Sequence, residues 1–192
     1  LEMLRRYDVE GCVGRIIEYY GPGVASLSAT DRETIGNMGT ETGATTSIFP
    51  SDERTREYME AQGRGKDWVP LAADEGAEYD EQVQIDLSKL EPLIAKPSSP
   101  GNVVTVREVA GIKVDQAIVG SSVNSSFRDL MVSAMMLEGR RVHDDVNFNV
   151  NPGSRQVIEN VAQQGGLISF LASGSRVHES GCQGCIGMGQ AP

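Results

Sequence analysis

Two cysteines near the end of the sequence have the clearest chemical potential. Cys182 and Cys185 are separated by Gln183 and Gly184, and a loop with this spacing can bring two thiolates onto one soft metal centre, either zinc or an iron–sulfur cluster. A redox pair is an alternative, although such a pair normally opens a helix after a strand. Two thiols without a special role are the simplest interpretation, and the spacing alone favours a metal or cluster site.

A zinc site at this loop would need further ligands, and the chain has two histidines, His143 and His178. His178 lies four residues before Cys182, so zinc held by the two cysteines and this histidine is the second candidate. The simpler interpretation of His178 is an exposed histidine or one at the end of a strand.

A glycine-rich segment, residues 36–47, carries the next candidate pair. Asn37 and Glu41 lie four residues apart, which places them on the same face of a helix. Such a pair could contact a metal-bound water or a substrate hydroxyl group. The spacing alone favours a simpler interpretation, in which a glycine-rich helix packs closely on a sheet and both side chains are solvated.

The segment from Gly120 to Ser126 contains a run of small polar residues, including Ser121, Ser122 and Asn124. It is typical of a strand-to-helix turn with hydroxyl groups that cap the helix. Anion binding at the helix N-terminus is the functional alternative. From the residues alone, capping is favoured.

The elements that position these residues alternate between strands and helices. Apolar and β-branched runs predict strands at 13–20, 47–49, 82–87, 115–119, 146–150 and 176–179. One helix is predicted to begin at a capping box formed by Thr30 and Glu33, and another to begin at Ser51. Further helices are predicted over 125–137, 155–164 and 167–172. This alternation indicates parallel β-α-β units, in which ligands bind beyond the carboxyl ends of the strands. The turn at 121–124 and the loop at 182–185 both follow strands, so we expect them to meet at one edge of a sheet.

A segment rich in proline, serine and glycine, 96–102, breaks the pattern and indicates a domain boundary. We predict an α/β domain at 1–96 that contains the Asn37/Glu41 segment. A linker at 97–106 leads to a second α/β domain at 107–192, which ends in the cysteine loop.

Composition excludes several classes of partner. The formal net charge of −10 argues against a nucleic-acid surface, because phosphate binding needs clustered Lys and Arg. No apolar run approaches the roughly 20 residues of a membrane helix, and three cysteines do not form a disulfide framework. We therefore expect a cytoplasmic protein that binds neither nucleic acid nor membrane. The chain opens without Met, in the middle of a pattern, which suggests a piece of a longer protein that lacks N- and C-terminal domains.

Taken together, these segments resemble the aconitase family, which includes aconitate hydratase, homoaconitase and isopropylmalate isomerase. The similarity covers nearly all of the chain. It is strongest at 18–24, 37–50, 124–126, 151–155 and 182–190. The string from Gly43 to Pro50 favours the aconitate hydratases over the isopropylmalate branch. The resemblance implies two three-layer α/β domains with largely parallel sheets, the C-terminal one truncated.

The resemblance also implies a function. The family reaction is reversible dehydration of a small tricarboxylate, citrate to isocitrate through cis-aconitate, on a [4Fe–4S] cluster whose open iron acts as a Lewis acid. Cys182 and Cys185 correspond to paired cluster ligands, and Asn37 and Glu41 to catalytic residues near the cluster and its bound water. Asn124 follows the turn that supplies the remaining cysteine of the family.

This chain departs from the family pattern at that turn. Ser122 stands where the family has the third cluster cysteine, and a hydroxyl is a poor ligand for soft iron. Gly36 stands where a cysteine usually precedes the Asn-Met pair, and Cys12 matches no family ligand. The family's arginine clamp and serine base lie outside the chain. We therefore predict no turnover by this chain alone. A cluster-free, non-catalytic fragment of the same fold and a small zinc module are the alternatives.

Overall fold

The structure is a computed structural model that describes residues 1–187, apart from the side chain of Cys185. The chain divides into two compact units, Leu1–Ala110 and Gly111–Pro192. Both contain helices and short strands, and a parallel sheet occurs in each. The predicted mixed α/β class with parallel sheets is confirmed. The predicted domain limits stay a prediction.

The first unit contains three helices that alternate with two strands, followed by a hairpin. Its elements are α1 (Glu2–Tyr7), β1 (Ile16–Glu18), α2 (Ala29–Gly39), β2 (Thr46–Ile48), α3 (Glu53–Ala61), β3 (Leu93–Ala95) and β4 (Val103–Thr105). β1 and β2 are parallel, with Ile16 opposite Thr46, and β3 and β4 are antiparallel. The segment predicted as a linker, 97–106, therefore contains a hairpin strand.

Helix α2 begins at a different capping box from the one predicted. The Ser28 hydroxyl accepts from the Asp31 N–H at 3.2 Å, and the Asp31 carboxylate accepts from the Ser28 N–H at 2.9 Å. The prediction of Thr30 and Glu33 as the box was wrong. The shorter Asp side chain also reaches back to the cap residue, so the helix starts before Thr30.

The packing of α2 on β2 depends on a glycine. A Cβ atom on Gly39 would lie 2.6 Å from the Ser47 hydroxyl oxygen, and Gly36 also faces Ser47. A side chain at Gly39 would push the helix away from the strand. This close approach agrees with the expectation of a glycine-rich helix against a sheet.

The predicted strand at 82–87 is absent from the structure, where residues 82–86 are irregular and a 3-10 turn begins at Leu87 (Leu87–Lys89). Val83 and Leu87 are exposed. The Gln84 carbonyl accepts from the Arg6 guanidinium at 3.2 Å. Alternation of polar and apolar residues predicts a strand that has a neighbour, and here a side chain satisfies the backbone acceptor instead.

The second unit is a three-stranded parallel sheet with helices. Its elements are β5 (Gln116–Gly120), α4 (Phe127–Leu137), β6 (Asn147–Asn151), α5 (Arg155–Gln163), α6 (Gly166–Ser173) and β7 (Arg176–Val177). The strand order is β5-β6-β7, with β6 in the centre. These elements match the predicted alternation closely.

All three of these helices pack on one face of the sheet. The core consists of Leu130 and Ala134 from α4, Val150 from β6, Val161 from α5 and Phe170 from α6. Both crossovers run in the same direction across the sheet, and right-handed connections then place their helices on one side. Within the described residues this unit has two layers, and the predicted third layer is not seen.

The opposite face of β6 is polar. Side chains alternate along a strand, so Asn149 and Asn151 point away from the Val150 core. No helix in the described part of the chain is long and apolar enough to span a membrane.

Candidate functional site at the strand ends

The turn after β5 is fixed by the end of β6. The Ser121 N–H donates to the Asn151 carbonyl at 2.9 Å, and the Ser125 hydroxyl donates to the Ser121 carbonyl. Gly120 has φ +134°, and a Cβ there would lie 2.0 Å from the Asn151 carbonyl oxygen. The turn can therefore approach β6 closely because residue 120 is glycine.

The same turn leads into α4 through a capping box. The Ser126 hydroxyl accepts from the Asp129 N–H at 3.2 Å, and the Asp129 carboxylate accepts from the Ser126 N–H. Capping by a hydroxyl is thus confirmed at this helix. Asn124 precedes the cap with an exposed side chain, and its N–H donates to the Gly120 carbonyl at 3.3 Å.

The loop that carries Cys182 meets this turn. The Gly181 N–H donates to the Pro152 carbonyl at 3.1 Å, which places the loop after β7 beside the end of β6. The Cys182 sulfur lies 2.8 Å from the Ser121 hydroxyl oxygen and 3.7 Å from that of Ser122. The two segments that we expected at one edge of the sheet are therefore in contact.

Because residue 184 is glycine, the cysteine loop can pack closely on β5 and β6. A Cβ on Gly184 would lie 2.8 Å from Ile118 Cδ1 and 3.0 Å from Asn151 Oδ1. Gly184 begins a short 3-10 turn that ends at Ile186. The side chain of Cys185 lies outside the described residues, so its role as a ligand stays a prediction.

The described donors do not fit a cluster held by three thiolates. Cys182 contributes one sulfur, and its nearest predicted co-ligand is the Ser122 hydroxyl, a hard and protonated donor near neutral pH. Among the residues that the structure describes, no three His, Cys, Asp or Glu side chains are grouped to hold a metal. The described residues therefore support no catalytic step through a cluster.

The His178 side chain pairs with a residue of β6. Its Nε2 atom lies 3.1 Å from Asn149 Oδ1, and Asn149 is completely buried. His143 is exposed and accepts from the Asp145 N–H at 3.2 Å through Nδ1. The described residues thus give no support to the zinc alternative.

Asn37 and Glu41 lie in the first unit, in α2 and in the 3-10 turn Thr40–Thr42 that continues it. The Asn37 carbonyl accepts from the Thr40 hydroxyl at 2.7 Å. The Asn37 side chain is partly buried and that of Glu41 is exposed. Their catalytic assignment stays a prediction.

Asn151 begins the stretch 151–155 that resembles the aconitase family, but we predicted no role for its side chain. Its side chain is 1% exposed, and neither its Nδ2 nor its Oδ1 atom has a hydrogen-bond partner in the described structure. The available signal was the alternation of Asn147, Asn149 and Asn151 along β6. An amide repeated at every second residue indicates a polar sheet face, and the last of the three lies at the strand end where ligands bind.

Comparison with known proteins gives consistent matches along the chain. The family model described as the aconitase family (aconitate hydratase) matches residues 1–111 and 106–192. The chain is 40% identical to 3-isopropylmalate dehydratase large subunit 2 of Rubrobacter xylanophilus, over 97% of the chain and 44% of that protein. It is 39% identical to large subunit 1 of Methanopyrus kandleri, with the same coverage.

A third relative, large subunit 2 of 3-isopropylmalate dehydratase from Archaeoglobus fulgidus, is 35% identical over 99% of the chain and 46% of its own length. The chain thus spans somewhat less than half the length of these relatives. The string Gly43–Pro50 led us to expect the aconitate hydratase branch, whereas these relatives carry the isopropylmalate name. The aconitase family model matches the chain along its whole length. The chain is therefore a member of the aconitase family.

Proposed function

We propose that this chain is a portion of a hydro-lyase that removes water from a hydroxy-carboxylic acid and adds it back. The observation that carries the proposal is the contact between the Ser121–Ser122 turn and Cys182 at the carboxyl ends of parallel strands. Ligands of open α/β sheets bind at such strand ends. Membership of the aconitase family supports the reaction class.

Two substrates are candidates. 3-Isopropylmalate is the first, because the relatives described above are named 3-isopropylmalate dehydratases. Citrate and isocitrate, interconverted through cis-aconitate, are the second, because the string Gly43–Pro50 resembles the aconitate hydratases. Both substrates carry a hydroxyl group next to a carbon that can lose a proton, so one elimination chemistry serves either.

Within this proposal, Asn37 and Glu41 remain the predicted catalytic residues. The Glu41 carboxylate is suited to moving a proton to or from the substrate hydroxyl, and the Asn37 amide to orienting it. Ser122, Asn124, Cys182 and Cys185 remain the predicted binding residues at the strand ends. Elimination also needs a base at the adjacent carbon and a clamp for the carboxylates. We therefore predict that the full-length protein is active and that this chain alone is not.

A matched pair of variants in the full-length protein tests the catalytic assignment. We expect Glu41→Gln to lower kcat by about two orders of magnitude, the usual contribution of a general acid or base. Glu33→Gln, which changes another exposed glutamate on the same helical segment, should leave kcat unchanged. Equal rates for the two variants would remove Glu41 from the mechanism. The absence of dehydration of both substrates by the parent protein would remove the proposed function.

A further inference from the structure

Asn151 is buried without satisfying its side-chain amide. Both polar atoms lack a hydrogen-bond partner within the described structure, although the side chain is 1% exposed. A buried amide normally forms hydrogen bonds, because leaving its donors and acceptors unpaired costs free energy. An apolar side chain of the same size would avoid this cost, so stability does not explain an asparagine here.

A neighbouring asparagine on the same strand behaves differently. Asn149 lies two residues earlier on the same face of β6, is equally buried, and pairs with His178 Nε2 at 3.1 Å. The polar face of the sheet can therefore satisfy an asparagine where the structure needs one. Asn151 differs in lying at the strand end, beside the Ser121–Ser122 turn and the cysteine loop.

The backbone of Asn151 is held in place from several directions. Its backbone pairs with Gly120, its carbonyl accepts from the Ser121 N–H at 2.9 Å, and Pro152 follows it. Gly184 lies beside the amide, since a Cβ atom on it would be 3.0 Å from Asn151 Oδ1. These contacts fix the backbone at residue 151, so the amide starts from a defined point at the strand end.

We propose that Asn151 is a substrate-binding residue of this site. Its Nδ2 atom donates to a carboxylate oxygen of the hydroxy acid, and its Oδ1 atom accepts from the hydroxyl group of the same molecule. A hydroxy acid supplies one acceptor and one donor, which is the complement of a single amide. This inference rests on the proposed function, since that function defines the class of ligand.

Binding requires the cysteine loop to move. Gly184 lies beside the amide, so the segment 181–187 must shift before a ligand reaches Asn151. This movement would break the hydrogen bond from the Gly181 N–H to the Pro152 carbonyl and the contacts of the Cys182 sulfur with the Ser121 and Ser122 hydroxyl groups. Glycines with positive φ lie at both ends of the segment, at 181 and 187.

Two leucine variants of the full-length protein test this inference. Asn151→Leu removes an unsatisfied amide, so the unfolding temperature without ligand should stay equal or rise. Asn149→Leu, the matched control, removes a satisfied amide and should lower it. In calorimetric titrations with 3-isopropylmalate and with citrate, Asn151→Leu should weaken binding by about tenfold or more, whereas Asn149→Leu should leave the affinity nearly unchanged.

The outcomes separate this inference from the proposed function. A lower unfolding temperature for Asn151→Leu would show that the amide is structural, and an unchanged affinity would show that it does not touch the ligand. Either result overturns the inference and leaves the hydro-lyase proposal standing. Binding without dehydration by the parent protein would overturn the proposed function and leave Asn151 as a binding residue. If the parent protein bound neither acid, both would fall.

Discussion

The buried guanidinium of Arg32 should be the strongest single contributor to the stability of the first unit. Arg32 is 5% exposed and forms a two-pronged ion pair with Asp52, at 2.8 and 2.7 Å. It also donates to the Val24 and Pro50 carbonyls, at 3.0 and 2.9 Å. One side chain thus joins α2 to the segment that precedes α2 and to the segment that follows β2.

The expected loss follows from what Arg32→Met leaves behind. Removing one partner of a buried pair costs about 3–5 kcal/mol, because the other charge and the carbonyls remain without donors. The Asp52 side chain keeps 31% exposure, so water partly replaces the guanidinium. We therefore expect the free energy of unfolding to fall by about 3 kcal/mol, the lower end of that range.

Urea unfolding followed by circular dichroism measures this loss. The matched control is Arg54→Met, whose exposed ion pair with Glu57 should contribute about 0–1 kcal/mol. Asp52→Asn separates the ion pair from the helix cap, because asparagine also caps the start of α3. If Arg32→Met cost no more than Arg54→Met, the proposed role of the buried guanidinium would be wrong.

The same pair predicts a dependence on pH. The Arg32 hydrogen bonds lower the pKa of the Asp52 carboxyl, and backbone N–H groups of Thr55 and Arg54 add to the effect. A carboxyl whose folded pKa is depressed stabilises the protein above its unfolded pKa of about 3.9 and loses that contribution as pH falls through the folded value. The difference between the parent chain and Arg32→Met should therefore be constant near neutrality and shrink below about pH 4.

Three further predictions concern the thiols. Ser122→Cys should raise the iron and sulfide retained after anaerobic reconstitution, because it adds a soft ligand beside Cys182; the same retention by Ser122→Ala would contradict this. Gly184→Ala should speed alkylation of Cys182 and lower the free energy of unfolding by about 1–3 kcal/mol, because the methyl group would meet Ile118 and displace the loop. An unchanged alkylation rate would show that the loop accommodates the methyl group. In the native chain, iodoacetamide should modify the exposed Cys182 and spare the buried Cys12. Mass spectrometry of the digested peptides measures both. Equal labelling would mean that the first unit is not packed around Cys12.

The sequence predicts the second unit well because its signals are local and mutually consistent. Serines and glycines mark the turn at 120–126, apolar periodicity marks α4, and parallel topology brings the ends of β5 and β7 to one edge. Parallel topology alone places this turn and the cysteine loop at the same edge of the sheet. The contact between them, across the end of β6, is seen only in the structure.

Other features depend on tertiary contacts that periodicity does not contain. The segment 82–87 alternates like a strand but has no strand beside it, and Arg6 takes its Gln84 carbonyl. Ser121 has a positive φ of +73°, and its hydroxyl oxygen lies closer to the Cys182 sulfur than the hydroxyl oxygen of Ser122 does. The unsatisfied amide of Asn151 is visible once burial is known, since an asparagine in a strand is otherwise an ordinary polar residue.

The formation of an alkene acid by the full-length protein tests the central claim most directly. The protein, purified without oxygen, should convert 3-isopropylmalate or citrate into a product lighter by one water molecule. Its conjugated double bond absorbs in the ultraviolet, and mass spectrometry identifies it. Such a product from at least one of these acids is the predicted result. Recovery of both acids unchanged, from folded full-length protein assayed with a small subunit of the kind that the name of its large-subunit relatives implies, would contradict the assignment of this chain to a working hydro-lyase.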